Sequence, residues 1–219
     1  MIKSLLKSCI TIQPAFLGCP IHFHWSWFLF CLLYSWASWQ NFFFFLLFYG
    51  IILLHEFGHC WAAKNFYGYP TYSITISPIG GLAALSLPDR MTSAEEFWIT
   101  AFGPFVNLIL VPILVCLVYW SLGTSSYDLW FQLLTANVFV LAFNLLPVFP
   151  MDGGRLFRSI LLLFNHSYER STHIAVRSGQ FLAVCFGVLC LMQGLFGCLV
   201  VFAGVIVMGQ AEIERAKTN

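Results

Sequence analysis

Charge is what this sequence has least of. Only 9% of its 219 residues are charged, ten Lys and Arg against nine Asp and Glu, for a formal net charge of +1. Soluble domains carry about 25% charged residues. With 60% apolar residues and a mean hydropathy of +0.84, the chain cannot turn a polar surface to water on all sides. This excludes a soluble globular domain. It also excludes a disordered chain, which needs low hydrophobicity and high net charge. A nucleic-acid binder is excluded as well, because ten scattered basic residues make no basic patch. The eight Cys include no C-x-x-C pair and lie mostly in apolar runs, so no disulfide framework is expected. Nor is a cleavable leader expected: Lys3 and Lys7 are followed by a short, interrupted apolar run and no A-x-A site.

Long hydrophobic runs are what is present, and a spanning helix needs about 20 mostly apolar residues. Six such segments are legible, over 24–39, 41–64, 95–121, 129–146, 174–193 and 195–213. The expected fold is therefore an all-α membrane protein, a six-transmembrane-helix bundle forming one multi-pass domain over 1–219. Lys and Arg favour cytoplasmic segments. With both termini cytoplasmic, all ten basic residues, from Lys3 and Lys7 through Lys64, Arg90, Arg155 and Arg158 to Arg215 and Lys217, fall on one side. The opposite loops, near 38–41, 123–128 and 193–194, hold none. The lipid bilayer is thus the first partner, with the cell membrane as the expected location. The oligomeric state is not legible.

Two segments break the helical pattern. In 69–87, Thr71, Ser73, Thr75 and Ser77 alternate with Tyr72, Ile74 and Ile76, which is strand period. Pro78 and Gly80–Gly81 supply a turn. A small membrane-associated β-hairpin or sheet on the cytoplasmic side follows, and it must lie against protein or line a wet cavity, since open strand edges do not occur in lipid. In 144–155, Pro147, Pro150 and Gly153–Gly154 forbid a continuous helix, so the fourth span ends in an irregular stretch that carries Asp152.

The chemistry concentrates at His55-Glu56-Phe57-Gly58-His59 in the second predicted span. Residues four apart share a helix face. Two imidazoles so placed can bind one zinc ion, and the Glu between them can reach the water such a site activates. A carboxylate at mid-helix in lipid costs about 2.5–3.5 kcal/mol. A divalent cation compensates for that; an interhelical hydrogen-bond cluster is the bland alternative. Catalytic zinc has three protein ligands and an open position. Asp152 is the favoured third ligand, because it follows an apolar span in a turn able to fold back. His22, His24, or no third protein ligand remain the alternatives. Asp89, Glu95 and Glu96 read as charge at a helix start.

These motifs resemble those of the site-2 protease family of intramembrane zinc metalloproteases. The resemblance rests on His55–His59 and on Asn144-Leu-Leu-Pro-Val-Phe-Pro-Met-Asp-Gly-Gly-Arg155. It extends to Ile21–Trp25, Pro78–Gly81 and Gly103-Pro-Phe-Val-Asn107. It implies a minimal core without a PDZ or nucleotide-sensing module, with His55, His59 and Asp152 as metal ligands, one zinc ion per chain and Glu56 catalytic. The implied reaction is hydrolysis of a peptide bond within or near the transmembrane segment of a membrane-protein substrate, after a first cut by another protease. Asn144 would donate to the developing oxyanion, or else make an ordinary helix-terminal hydrogen bond. Asn107, beside Gly103–Pro104, reads as a kink and packing feature. The hairpin would hold unwound substrate by strand addition, and Pro at Ile74 would break that edge. The rival function is a membrane metal-binding or metal-transport protein without protease activity. It expects ionisable residues along several spans, and outside the second span there are almost none.

Overall fold

The computed structural model describes residues 9–12, 20–36, 38–78, 80–85, 87–88, 91–164, 166–194 and 198–218. Lys3, Lys7, Asp89, Arg90, hairpin positions 79 and 86, and 195–197 of the sixth predicted span lie outside the described residues. The chain forms two compact units, Met1–Leu87 with Phe102–Leu141, and Pro88–Ala101 with Ala142–Asn219.

The first unit opens with β1 (Cys9–Ile12), β2 (Ile21–His24) and the short helix α1 (Trp25–Ser35), capped by His24. Ser38 then caps the 29-residue α2 (Trp39–Tyr67), its hydroxyl accepting from the Asn41 N–H at 3.1 Å. Helix α2 stops at Gly68, whose φ of 72° is left-handed and whose N–H closes the last turn onto Ala63 and Lys64. The expected hairpin follows as β3 (Thr71–Ser77) and β4 (Gly80–Leu85). It belongs to a four-stranded sheet of order β1-β2-β3-β4, with β2 parallel to β3 and the other pairs antiparallel. The alternation seen in the sequence sorts the faces. Ile74 and Ile76 are buried in a core with Ile21, Trp27, Phe45 and Tyr49, and the Tyr49 hydroxyl donates to the Pro78 carbonyl at 2.9 Å. Parts of α3 (Ser93–Trp120) and α4 (Tyr127–Leu145) complete this unit, where Ile51, Leu114 and Leu133 pack together.

The second unit contains the start of α3, where Thr92 and Glu95 form a capping box: the Thr92 N–H donates to Glu95 and the Glu95 N–H to Thr92. Helix α4 ends at Leu145, as Pro147 and Pro150 require. The glycines do not extend that break. Gly153 and Gly154 sit in the first turn of a helix not foreseen from the sequence, α5 (Asp152–Leu163). A Cβ on Gly153 would lie 2.2 Å from the Leu146 carbonyl oxygen and one on Gly154 would lie 2.7 Å from the Phe149 nitrogen, so the glycines let α5 start hard against its own leading turn. Helices α6 (Tyr168–Met192) and α7 (Cys198–Thr218) follow.

Four described helices are long and apolar enough to cross a bilayer: α2, α3, α4 and α6. Six were expected. At 11 residues α1 rises only about 16 Å against a hydrocarbon core of about 30 Å. Helix α7 ends in a run with Glu212, Glu214, Arg215 and Lys217 and is not among the four. Large apolar side chains stand bare on these helices, including Phe139 at 65% and Phe181 at 67% exposure. Surfaces of that kind are stable against lipid, not water. The protein is an integral membrane protein with a small associated sheet.

Candidate metal centre

Residues His55, Glu56 and His59 lie in the C-terminal half of α2, whose buried side includes Tyr49, Ile51, His55, Gly58 and His59. The i, i+4 spacing does what the sequence implied. The two Nε2 atoms face each other 3.2 Å apart, and the rings meet edge to face. Two nitrogens each about 2.0–2.1 Å from a tetrahedral zinc would be separated by about 3.3 Å. The pair therefore fits a shared ion. It is also tightly enclosed: a Cβ on Gly103 of α3 would lie 2.3 Å from His59 Nε2 and 2.8 Å from His55 Nε2. Gly58 allows the same approach from the other side, since a Cβ there would sit 2.5 Å from the Phe102 carbonyl oxygen.

Glu56 reaches toward the sheet. Its Oε2 accepts the N–H of Ala83 in β4 at 3.0 Å, and a Cβ on Gly81 would lie 2.7 Å from Glu56 Cγ. Strand β4 is an outer strand of the sheet, and Ala83 pairs across to Ile74. Ile74, fully buried on β3 between β2 and β4, is not an edge residue as the sequence reading had it.

The sequence reading of Asn107 is corrected. It is fully buried in α3, and its Oδ1 lies 2.5 Å from His55 Nδ1. Its Nδ2 donates to Asn137 Oδ1 at 2.8 Å, and Asn137 Nδ2 donates back to the Asn107 carbonyl at 3.0 Å. Asn137 was missed altogether. Its signal was there: an amide in the middle of the apolar run of α4, where a polar group must find an interior partner.

The remaining expected residues come from other elements. Asp152 opens α5, and Asn144 stands half-buried in the last turn of α4; both belong to the second unit. His22 bonds Thr11 Oγ1 at 2.8 Å across the β1–β2 pair, and His24 bonds Ser26 Oγ at 2.6 Å at the β2–α1 junction. Glu96, read from the sequence as helix-start charge, is wholly buried against Arg158.

Comparisons with known proteins identify the family to which these motifs belong. The sequence model of peptidase family M50 matches residues 43–126 and 120–186, which include the α2 motif and the Asp152 turn. The zinc metalloprotease MJ0392 of Methanocaldococcus jannaschii is 35% identical over 77% of this chain and 50% of its own length. Stage IV sporulation protein FB of Bacillus subtilis is 29% identical over 69% of this chain and 48% of its own. The putative zinc metalloprotease Rip3 of Mycobacterium tuberculosis is 29% identical over 77% of this chain and 44% of its own. The chain thus spans about half the length of the curated relatives it matches. A solved structure, the site-2 protease from Methanocaldococcus jannaschii, superposes with a TM-score of 0.63 at 28% identity, covering 94% of this chain and 95% of that one. With a family match running through the two-histidine helix, its neighbouring helices and the aspartate turn, this chain belongs to peptidase family M50.

Proposed function

We propose that this chain is a zinc metalloprotease that hydrolyses peptide bonds within or near transmembrane segments of other membrane proteins. The observation that carries the reading is the convergence of His55 and His59 Nε2, 3.2 Å apart on one buried helix face, with Glu56 between them in sequence. His55, His59 and Asp152 are the proposed ligands; two imidazoles and a carboxylate suit one zinc ion. When bound, zinc supplies a Lewis acid and makes water acidic near neutral pH. Glu56 then takes a proton from the attacking water and delivers it to the leaving nitrogen as the carbon–nitrogen bond breaks. Asn144 is the proposed donor to the oxyanion.

A substrate helix hides its carbonyls, so it must unwind before it is cut. Strand β4, whose Ala83 N–H already meets Glu56, offers an edge on which an extended segment can pair. The proposal takes the whole chain as one catalytic module. It keeps six crossings, with α1 and α7 completing the set, both termini cytoplasmic, and a first cut by another protease upstream.

The test is Glu56→Gln, which keeps an acceptor for Ala83 but removes the base. Zinc content of the purified variant should match wild type. Cleavage should fall by about 10²–10⁴-fold, the usual contribution of a positioned acid–base group. In cells the variant should accumulate single-pass membrane proteins as truncated stubs. A metal transporter would instead keep its flux, and unchanged proteolysis or zinc-free wild-type protein overturns the proposal.

A further inference from the structure

We infer that Asn107 and Asn137 form a positioning relay that fixes the tautomer of His55, and that Asn137, which touches no ligand, thereby sets the zinc affinity of the site. The inference rests on the zinc reading above and goes beyond it.

The argument is one of donors and acceptors. An Asn side chain can present either its oxygen or its nitrogen at a given place, so a single amide next to a histidine leaves the tautomer open. Here the orientation is anchored at one end. Asn137 faces the backbone carbonyl of Asn107 at 3.0 Å, and a carbonyl can only accept. Asn137 must turn its NH₂ there. Its oxygen is then the group 2.8 Å from the Asn107 side chain, so Asn107 must turn its own NH₂ toward Asn137. The Asn107 oxygen is left facing His55 Nδ1 at 2.5 Å. Two acceptors cannot share that spacing, so Nδ1 carries the hydrogen. In the neutral imidazole the lone pair then lies on Nε2, the atom that converges on His59.

Burial makes this a constraint, not a preference. Asn107 and Asn137 are both fully enclosed, so flipping either amide would set oxygen against oxygen out of reach of bulk solvent. The relay runs across three helices of one unit, α2, α3 and α4. Groups that orient a ligating histidine through its second nitrogen typically change metal affinity by about 10–100-fold.

Two measurements decide it. In metal-free wild-type protein labelled with ¹⁵N-histidine at about pH 8.5, where an ordinary imidazole is neutral, the His55 signals should show a protonated Nδ1 and a bare Nε2. They are identified by their loss in His55→Ala. The reverse tautomer overturns the inference. Zinc affinity by chelator competition should fall at least tenfold in Asn137→Leu, which has similar bulk and no amide. In Asn107→Asp the carboxylate accepts from Nδ1 without needing orientation, and it would repel the Asn137 oxygen. Adding Asn137→Leu to that background should therefore cost nothing or raise affinity. An Asn137→Leu chain that binds zinc within threefold of wild type, or a loss equal in both backgrounds, overturns the relay. Should Asn137→Leu not fold, the wild-type tautomer alone decides. Wild-type protein that takes up no zinc would sink the metalloprotease reading while leaving the tautomer result standing.

Discussion

Gly103 and His59 are packed so closely that no side-chain carbon fits between them: a Cβ on Gly103 would stand 2.3 Å from both Cε1 and Nε2 of the ring. The neighbouring His55 cannot yield either, because Asn107 holds its other nitrogen. Two effects oppose each other in Gly103→Ala. Helix propensity favours Ala in α3 by about 1 kcal/mol, while overpacking costs about 1–3 kcal/mol. The clash is aimed at the metal-binding nitrogens, so the metal readout should be the larger. Gly103→Ala should lose at least tenfold in zinc affinity with its melting temperature little changed. Equal zinc content after dialysis against a chelator would contradict this.

The strand-addition idea can be tested where β4 allows it. The Ala83 N–H points away from β3, toward Glu56, so a proline there removes a group that the β3–β4 ladder does not use. Ala83→Pro should keep zinc within threefold of wild type and cut membrane-embedded substrate at least tenfold more slowly. Unchanged turnover would show that extended substrate does not pair on this edge. Ile74→Pro, by contrast, would break the buried centre of the sheet, where its N–H donates to the Pro20 carbonyl at 3.0 Å.

What was legible in the sequence was local. The i, i+4 histidines, the strand alternation of Thr71–Ser77 and the proline break after Leu145 each depend on neighbours a few positions apart, and each appears where expected. What was not legible depends on partners far along the chain. Asn107 and Asn137 are 30 residues apart, and nothing near either one says that they join. Arg158 counted as an ordinary cytoplasmic cation in the charge pattern, yet its partner Glu96 lies 62 residues away. The first predicted span, 24–39, is divided where α1 ends at Ser35 and Ser38 caps the next helix, a boundary that apolar composition does not mark.

Arg158 supplies the prediction least tied to the metal. Its guanidinium, 3% exposed, donates from Nε to Glu96 Oε1 at 2.9 Å and from Nη1 to Glu212 Oε1 at 2.9 Å, while Nη2 also pairs with Glu96. The rings of Phe149 and Tyr168 flank it at 5.0 and 4.7 Å. Burial works against its charge, but the Glu96 carboxylate outweighs that and holds the group above its ordinary range. A raised value in the folded state means that the stabilisation is complete below the unfolded value and is lost only above the folded one. Both lie far above neutrality, so this cation adds no alkaline sensitivity in the working range. Arg158→Met leaves Glu96, fully buried, without its counter-charge, and should cost about 3–5 kcal/mol. Arg158→Lys keeps the charge but loses the planar fork, for a smaller cost of about 1.5–3 kcal/mol. Adding Glu96→Gln to Arg158→Met should recover part of the loss, because it removes the orphaned charge. Thermal unfolding of wild type, Arg158→Met, Glu96→Gln and the double variant in one detergent measures the cycle, and strict additivity would mean that Arg158 and Glu96 are not coupled.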